Sequence, residues 1–422
     1  MFLERAMSRA TEQTFGPITD KGVVASLIAA SGGGMSTSGL QVDEWKFEGI
    51  PAGYACQRAI SETVGLLPIK LKLRDGKSFD DDYDNPLYWV LHDLFNSELT
   101  AYNGKELMTR WLTGWGNAYA ELVRDSQGNV IEIWPLVPWR MSVDRDEENR
   151  KRWTFRAPNG RKFQWVNNPD APPIMHLHIN SVDGLVGRSP VRINMDSIGL
   201  TLAANQFGAE FYNSYAAPAV ILSHPGKLGQ PGKDNLRESW DKLRGEWGKK
   251  HRMAVLSEGM KLERMSCAPD EAQFLETRGL QIEETARIYR VPLFVIQHMT
   301  KSTSWGSGIE SMMLGWLATG LSPYLENWRQ VIARDCITAK FLRTRSAVWI
   351  TQAIVKTDFK TMQEGLKLQK EGGAISPNEW RAMNEMNPRA DALGDEYDVA
   401  MANTMPTSLA LKKLDPSTTG AV

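Results

Sequence analysis

The chain has 422 residues, of which 42% are hydrophobic, 23% charged and 9% aromatic, proportions of a folded protein with room for two or three cores. Its 49 Lys and Arg against 50 Asp and Glu leave a formal charge of −1, which excludes a protein that holds nucleic acid by bulk positive charge. It does not exclude one that surrounds DNA without gripping it.

Cys56, Cys267 and Cys336 are far apart and form no CxxC pair. Neither a disulfide framework nor a zinc knuckle is expected, and a reducing cytoplasmic setting fits. The longest candidate membrane segment, Gly22 to Ala30, is too short for a bilayer at ~20 residues, and Glu4 and Asp20 interrupt any signal-peptide pattern before it. A soluble, non-secreted protein with no membrane partner is expected.

In chain order, the first 45 residues include Ser31 to Gly39, of linker composition, and the last 20 are poor in periodic apolar residues; both read as mobile arms. Pro51 opens a helix whose stripe of Ala52, Ala55, Cys56, Ala59, Ile60, Thr63 and Val64 is small enough for close backbone approach, and Gly65 ends it. Ile69, Leu71 and Leu73 alternate with Lys70, Lys72 and Arg74 before a turn at Asp75-Gly76, half a hairpin.

A second helix is expected to carry Leu107, Met108, Trp111, Leu112, Trp115 and Tyr119 on one face. Short strands follow at residues 122–123, 130–134, 141–143, 153–155, 163–166 and 174–179, separated by turns rich in Gly, Asn and Asp. Because this sheet region is flanked by helices rather than alternating with them, the class is α+β.

Ser189-Pro190 reads as N-cap and first residue of a helix reaching about Asn213. Further helices are expected at 233–248 and at 270–290, the second with Leu275, Gly279, Ile282, Ala286 and Tyr289 on one face until Val291-Pro292 stops it. The longest helix begins at the capping box Ser307 to Glu310 and keeps an apolar face from Met312 to Cys336, with Gly320 and Pro323 expected to bend it. A last helical segment follows Ser376-Pro377-Asn378-Glu379.

The search for chemistry is nearly empty. His176 and His178 share one face of a strand, but no third ligand stands at suitable spacing, so two polar positions on a half-exposed strand are the better reading. His92-Asp93 has no nucleophile motif attached. The glycine-rich stretch Gly226 to Lys233 fails as a phosphate loop, because Asp234 stands where Ser or Thr must hold magnesium and Pro231 removes an N–H. Runs at Asp80 to Asp82 and Asp144 to Glu148 read as solvated turns rather than a metal site. No enzyme activity, metal or cofactor is expected.

Several segments in order resemble one family, the portal proteins of tailed bacteriophages, in the compact form found in long-tailed phages. They are Tyr54-Ala-Cys-Gln-Arg-Ala-Ile-Ser-Glu-Thr-Val64 with Leu67-Pro-Ile-Lys-Leu71; Trp115-Gly-Asn-Ala-Tyr-Ala-Glu121; Asp183-Gly-Leu-Val-Gly-Arg-Ser-Pro190; Pro225-Gly-Lys-Leu228; Asp270 to Arg278 running into Ala286-Arg-Ile-Tyr-Arg-Val-Pro292; and Ser376-Pro-Asn-Glu-Trp-Arg381. They span roughly residues 48 to 390.

The resemblance implies a homo-oligomeric ring, usually of twelve subunits, at one capsid vertex of a virion assembled in the host cytoplasm. Double-stranded DNA is pumped in through its axial channel by terminase and later leaves through it. The implied partners are the terminase large subunit, the major capsid or scaffold protein and the head–tail connector. A head–tail adaptor or other non-enzymatic phage ring component is the alternative.

By position, the resemblance implies arms at 1–47 and 403–422, a wing at 48–231, stem helices at 232–248 and 270–292, and a clip at 249–269. It further implies a tunnel-loop region at 293–306, the long wing helix and its return at 307–374, and a small crown at 375–402. The implied functional residues are Lys249, Lys250, His251 and Arg252 for clip docking, and Thr300, Lys301, Ser302, Thr303, Ser304 and Trp305 for the tunnel loop. Glu276, Arg278, Glu283 and Arg287 are the implied stem charges, lining the bore or forming pairs between subunits. A motor that moves DNA through a pore needs weak, evenly spread contacts, and a near-neutral subunit suits that.

Overall fold

The computed structural model describes residues 34–75, 78–213, 220–223, 261–264, 271–298, 307–337, 341, 343–351, 359–384, 386–399 and 405–406. The described chain opens with a two-stranded ribbon, β1 (Gly34–Met35) and β2 (Gln41–Val42), and the short helix α1 (Glu44–Glu48). Helix α2 (Pro51–Leu66) follows, then the hairpin β3 (Ile69–Asp75) and β4 (Ser78–Asp81). Next come α3 (Pro86–His92) and α4 (Ala101–Trp115), then strands β5 (Asn117–Arg124), β6 (Val130–Leu136), β7 (Met141–Arg145), β8 (Lys151–Arg156), β9 (Lys162–Val166) and β10 (Ile174–His178).

The region after β10 is mainly helical. It holds α5 (Pro190–Ile193), α6 (Met195–Asn213), the pair β11 (Val220–Ser223) and β12 (Lys261–Arg264), and α7 (Glu271–Tyr289). Helix α8 (Ser307–Trp316) continues through a π turn at Leu317–Leu321 into α9 (Ser322–Val331) and a second π turn at Ile332–Cys336. Strand β13 (Arg345–Trp349), helices α10 (Phe359–Glu371) and α11 (Pro377–Met383), and the small pair β14 (Asp398–Val399) and β15 (Met405–Pro406) complete it. The fold is α+β, as the sequence predicts.

Three antiparallel sheets of three strands carry the β structure: β10-β5-β6, β13-β3-β4 and β7-β8-β9. The main core lies where α2 and α4 pack together over β5 and β10, with Cys56, Ile60, Val64, Met108, Leu112, Ala118 and Leu177 buried there. Trp328 of α9 enters it fully buried, and its indole N–H donates to Thr109 Oγ1 at 3.1 Å. A second, smaller core holds Trp153, Phe155, Phe163 and Trp165 under the β7-β8-β9 sheet.

Several elements differ from the sequence reading. Helix α4 stops at Trp115, so Tyr119 belongs to β5 and not to the helical stripe. The stop is Gly116, at φ 75°, where a Cβ would come within 2.4 Å of Arg188 O. The helix expected from Ser189 breaks at Asn194 into α5 and α6, though Ser189 does cap it by accepting from Arg192 N–H. The half-hairpin gains a partner the sequence did not announce, because β13 pairs with β3 from Ile69 to Leu73.

The acidic run at residues 80–82 is not a solvated turn. Asp81 on β4 bridges Lys70 Nζ at 2.7 Å and Lys72 Nζ at 2.5 Å, and Asp82 is buried against Arg345 Nε at 2.6 Å. Burial alone would raise the Asp81 pKa, but the two ammonium groups outweigh it and hold it below the usual carboxylate range. These charges lie close because the hairpin and β13 bring residues remote in sequence into register.

Around Gly320 and Pro323, where a bend is expected, the long helix is interrupted by the π turn. Proline supplies no N–H, and the chain responds with a wider turn: Ser322 N–H and Ser322 Oγ both donate to Leu317 O, five residues back. A Cβ at Gly320 would lie 2.4 Å from Trp316 Cδ1 and 2.8 Å from Arg290 O, so glycine lets the α7 end approach. The capping box at Ser376 forms, with Glu379 N–H donating to Ser376 Oγ and Ser376 N–H to Glu379 Oε2.

Candidate functional site

Helix α7 carries the predicted stem charges, and its far end is firmly anchored. Tyr289 is buried; its hydroxyl donates to Thr113 O at 3.2 Å and accepts from Gln57 Nε2 at 3.4 Å. Its ring stacks on Phe47 with centroids 5.8 Å apart. Burial pushes the phenol pKa well above its ordinary value, so this group is a structural post. Arg290 then takes φ 54°, Val291 N–H bonds back to Ala286 O, and Pro292 prevents continuation. The chain folds into a tight turn closed by His298 N–H on Leu293 O at 2.9 Å.

The four stem charges do not converge. Glu276 and Arg278 are exposed, and among the described residues neither takes an ion-pair partner. Glu283 and Arg287 meet at 3.4 Å as an i,i+4 pair on the helix surface, of the kind worth about 0.3–0.5 kcal/mol. The neighbouring Glu284 accepts from Ser197 Oγ at 2.9 Å and ties α7 to α6. Lys249, Lys250, His251 and Arg252, and the segment Thr300, Lys301, Ser302, Thr303, Ser304 and Trp305, lie outside the described residues.

Beside α7 runs a groove of about 350 Å³, which sequence reading did not single out. Its walls come from the start of α2, the middle of α6, residues 278–285 of α7 and the turn at 296–298. The half-exposed Ala52 and Ala55 that the small-residue stripe put on the core face lie on this groove instead, while Gly53, Gln57 and Ser61 take the buried positions. The one-dimensional pattern does not distinguish the two faces, because small residues occur on both and the buried Gln57 is polar.

The strand that carries the histidine pair is buried rather than half-exposed, with His178 at its half-buried end. His176 is fully buried, stacked on Tyr119 at 4.3 Å between centroids, with Lys151 Nζ 2.7 Å from Nδ1 and Asn117 Oδ1 3.1 Å from Nε2. Since Lys151 is a donor, Nδ1 accepts and the Nε2–H donates to Asn117. Burial, then the charge of Lys151, drives the imidazole pKa well down, and burial lowers Lys151 to about 8. Among the described residues no group of three or more His, Cys, Asp or Glu is placed to hold a metal, and no helix is long and apolar enough to cross a membrane.

Comparison with known proteins places this architecture. The family model described as phage portal protein matches residues 51–385. The chain is 29% identical over 380 residues to the probable portal protein of Streptomyces phage phiC31, covering 87% of this chain and 81% of that one. It is 28% identical over 372 residues to the portal protein of Enterobacteria phage HK97, covering 87% and 85%. Its fold is similar to a chain in the neck of a native gene transfer agent particle computed with C12 symmetry: TM-score 0.53, 17% identity, 92% of this chain and 99% of that one. With a model match over most of its length, this chain belongs to the phage portal protein family.

Proposed function

We propose that twelve copies of this chain close into a ring at one vertex of a capsid and that genomic double-stranded DNA passes through the ring's axis. Portal proteins are structural components of DNA packaging and not enzymes; what is proposed here is the copy number, the partners and the working parts. The family match over residues 51–385 carries the reading. The likeness in fold to a neck chain computed with C12 symmetry supports the copy number. The exposed, charged residues Glu276 and Arg278 of α7, beside an anchored second half, suit an element that projects from the body toward neighbours and the bore.

In this reading α7 is a stem helix, and the residues from Thr300 to Trp305 form the tunnel loop at the constriction. Lys249, Lys250, His251 and Arg252 belong to the clip that meets the terminase large subunit during packaging and the head–tail connector afterwards. The wing faces the capsid or scaffold protein. Weak contact with passing DNA follows from a formal charge of −1 per subunit, which gives little counterion-release affinity.

Native mass spectrometry of the purified protein tests the ring. Twelve times 47.3 kDa, about 570 kDa, is the expected species, with closely neighbouring ring sizes an acceptable variant. A monomer or dimer at every concentration, with and without capsid protein, overturns the ring. Replacing Lys249, Lys250 and Arg252 with Ala should leave the ring mass unchanged and weaken terminase or connector docking; unchanged docking removes the clip assignment. Deleting residues 300–305 should spare the ring and impair packaging, whereas loss of the ring would make that segment structural.

A further inference from the structure

The groove beside α7 has the character of a peptide site. Ile50, Pro51, Ala52, Ala55, Ile282 and Ile296 give it an apolar floor, and polar side chains such as Asn205 and Gln281 complete the walls. Helix α2 begins there with Ile50 as N-cap, so no side chain accepts from its first N–H groups. Gln281, on the wall, is 5% exposed and its Nε2 has no hydrogen-bond partner. Apolar surface next to donors without acceptors suits an extended apolar peptide, which brings one carbonyl per residue and apolar side chains between them.

The same helix that forms one wall also anchors the root of the N-terminal arm, but on its other side. A Cβ at Gly199 of α6 would lie 2.3 Å from Ser36 Oγ, and Thr37 N–H donates to Asp196 Oδ1 at 2.9 Å. Thr201 and Asn205 of α6 line the groove. At 3.6 residues per turn, those two stand roughly 190° round the helix from Asp196 and Gly199. Upstream of Gly34, the sequence Gly22-Val-Val-Ala-Ser-Leu-Ile-Ala-Ala30 is uncharged, small and apolar, joined through Ser31-Gly-Gly.

From Gly34 back to Ala30 the chain reaches ~13 Å at most, too little to round a helix ~10 Å thick and seat the whole run in its own groove. An arm rooted on one side of a helix and a groove on the opposite side are instead the two halves of a head-to-tail joint. We propose that residues 22–30 of each copy dock in the α2–α6–α7 groove of the neighbouring copy, so that the ring is belted by exchanged arms. This rests on the ring reading above.

Cysteine cross-linking in the assembled ring tests it. Leu27→Cys with Ala55→Cys, and separately Ser26→Cys with Ala52→Cys, are made in a Cys267→Ser background, where Cys56 and Cys336 are both buried. Ring mass is checked first, then mild oxidation and denaturing electrophoresis without reductant. The expected result is a ladder of covalent dimers, trimers and higher multimers, at roughly ten times or more the yield from either single cysteine, because docking raises the local thiol concentration. Intact rings without a ladder in both pairs, or with cross-links only within one chain by peptide mapping, overturn the arm exchange and leave the ring standing. Absence of any ring overturns the ring reading and the exchange together.

Discussion

Along α7 the surroundings change within two turns. Glu276, Thr277, Arg278 and Leu280 are exposed, whereas Gln281, Thr285, Ala286 and Tyr289 are buried against the α2–α4 layer. The second half is held by packing, a stacked aromatic pair and a hydroxyl with two partners. Among the described residues, positions 276–280 show no such aromatic stack or buried hydroxyl, and a short stretch of helix is marginal in water alone. One element is therefore post and projection at once, and in the proposed ring the projection is the part that neighbouring subunits would complete.

Breaking the post is expected to produce the largest effect. Tyr289→Ala removes a buried ring and leaves Gln57 without its acceptor, a loss of about 3–5 kcal/mol by analogy with other buried aromatic truncations. Chemical denaturation of the purified subunit checks it, and Tyr289→Phe should recover most of the loss because stacking on Phe47 is kept. If Tyr289→Phe cost as much as Tyr289→Ala, the hydroxyl would be the anchor and the packing account wrong.

Overpacking the layer beneath comes next. Gly104 lies on α4 where a Cβ would stand 2.2 Å from Cδ2 of Phe95, itself fully buried. Gly104→Ala therefore forces the Phe95 ring or α4 to move, and ~1–3 kcal/mol of destabilisation is expected. The same substitution at Gly279 on α7 meets nothing within 4 Å and should instead stabilise its helix by up to ~1 kcal/mol. Measured together, the two report core against projection with identical chemistry.

The histidine pair contributes through pH. Both His176 and His178 have lowered pKa values, from burial first and then the charge of Lys151. The unfolded chain thus takes up protons near pH 6.5 before the folded one does, so stability is whole above that pH and is lost as pH falls toward the folded values. A protonated His176 would place its charge 2.7 Å from the Lys151 ammonium, with Arg334 also near and Asp335 offsetting only part of it. Melting temperature measured from pH 7 to pH 5 should fall, and His176→Gln should flatten that slope even if it lowers the whole curve. An unchanged slope would mean that His176 does not carry the effect.

How far the sequence foretold these regions follows the same division. Elements with strong local signals were legible: the proline-started α2, the alternation of β3, the Ser189 and Ser376 caps, the interruption of the long helix at Gly320 and Pro323. Misreadings arose where tertiary contacts decided. Of the stripe expected on α7, Ala286 and Tyr289 are buried, but Gly279 and Ile282 are only half-buried while Gln281 and Thr285 are buried beside them, because the helix meets α2 and α6 along a face that includes polar positions. Asp82 looked solvated because Arg345, its partner, is 263 residues away. The resemblance names Glu283 and Arg287 only as separate stem charges, and the structure pairs them with each other within α7; the groove was not foreseen because its lining is assembled from four separated segments.

The smallest effects belong to the projection itself. Removing the Arg287 charge from its exposed pair with Glu283 should cost about 0.3–0.5 kcal/mol at low salt and less at high salt, since the pair is screened. Leu280→Ala, at a half-exposed position, should change subunit stability by less than ~0.5 kcal/mol. Its consequence lies in exchange rates. In an isolated subunit the amides of residues 276–280 should exchange much faster than those of 281–289, because only the latter open with the core. In the assembled ring that contrast should shrink if neighbouring subunits complete the first half of α7, and Leu280→Ala should restore part of it. Equal protection of both halves in the isolated subunit would show that the projection is already built by its own chain, and the division of α7 into post and projection would fall.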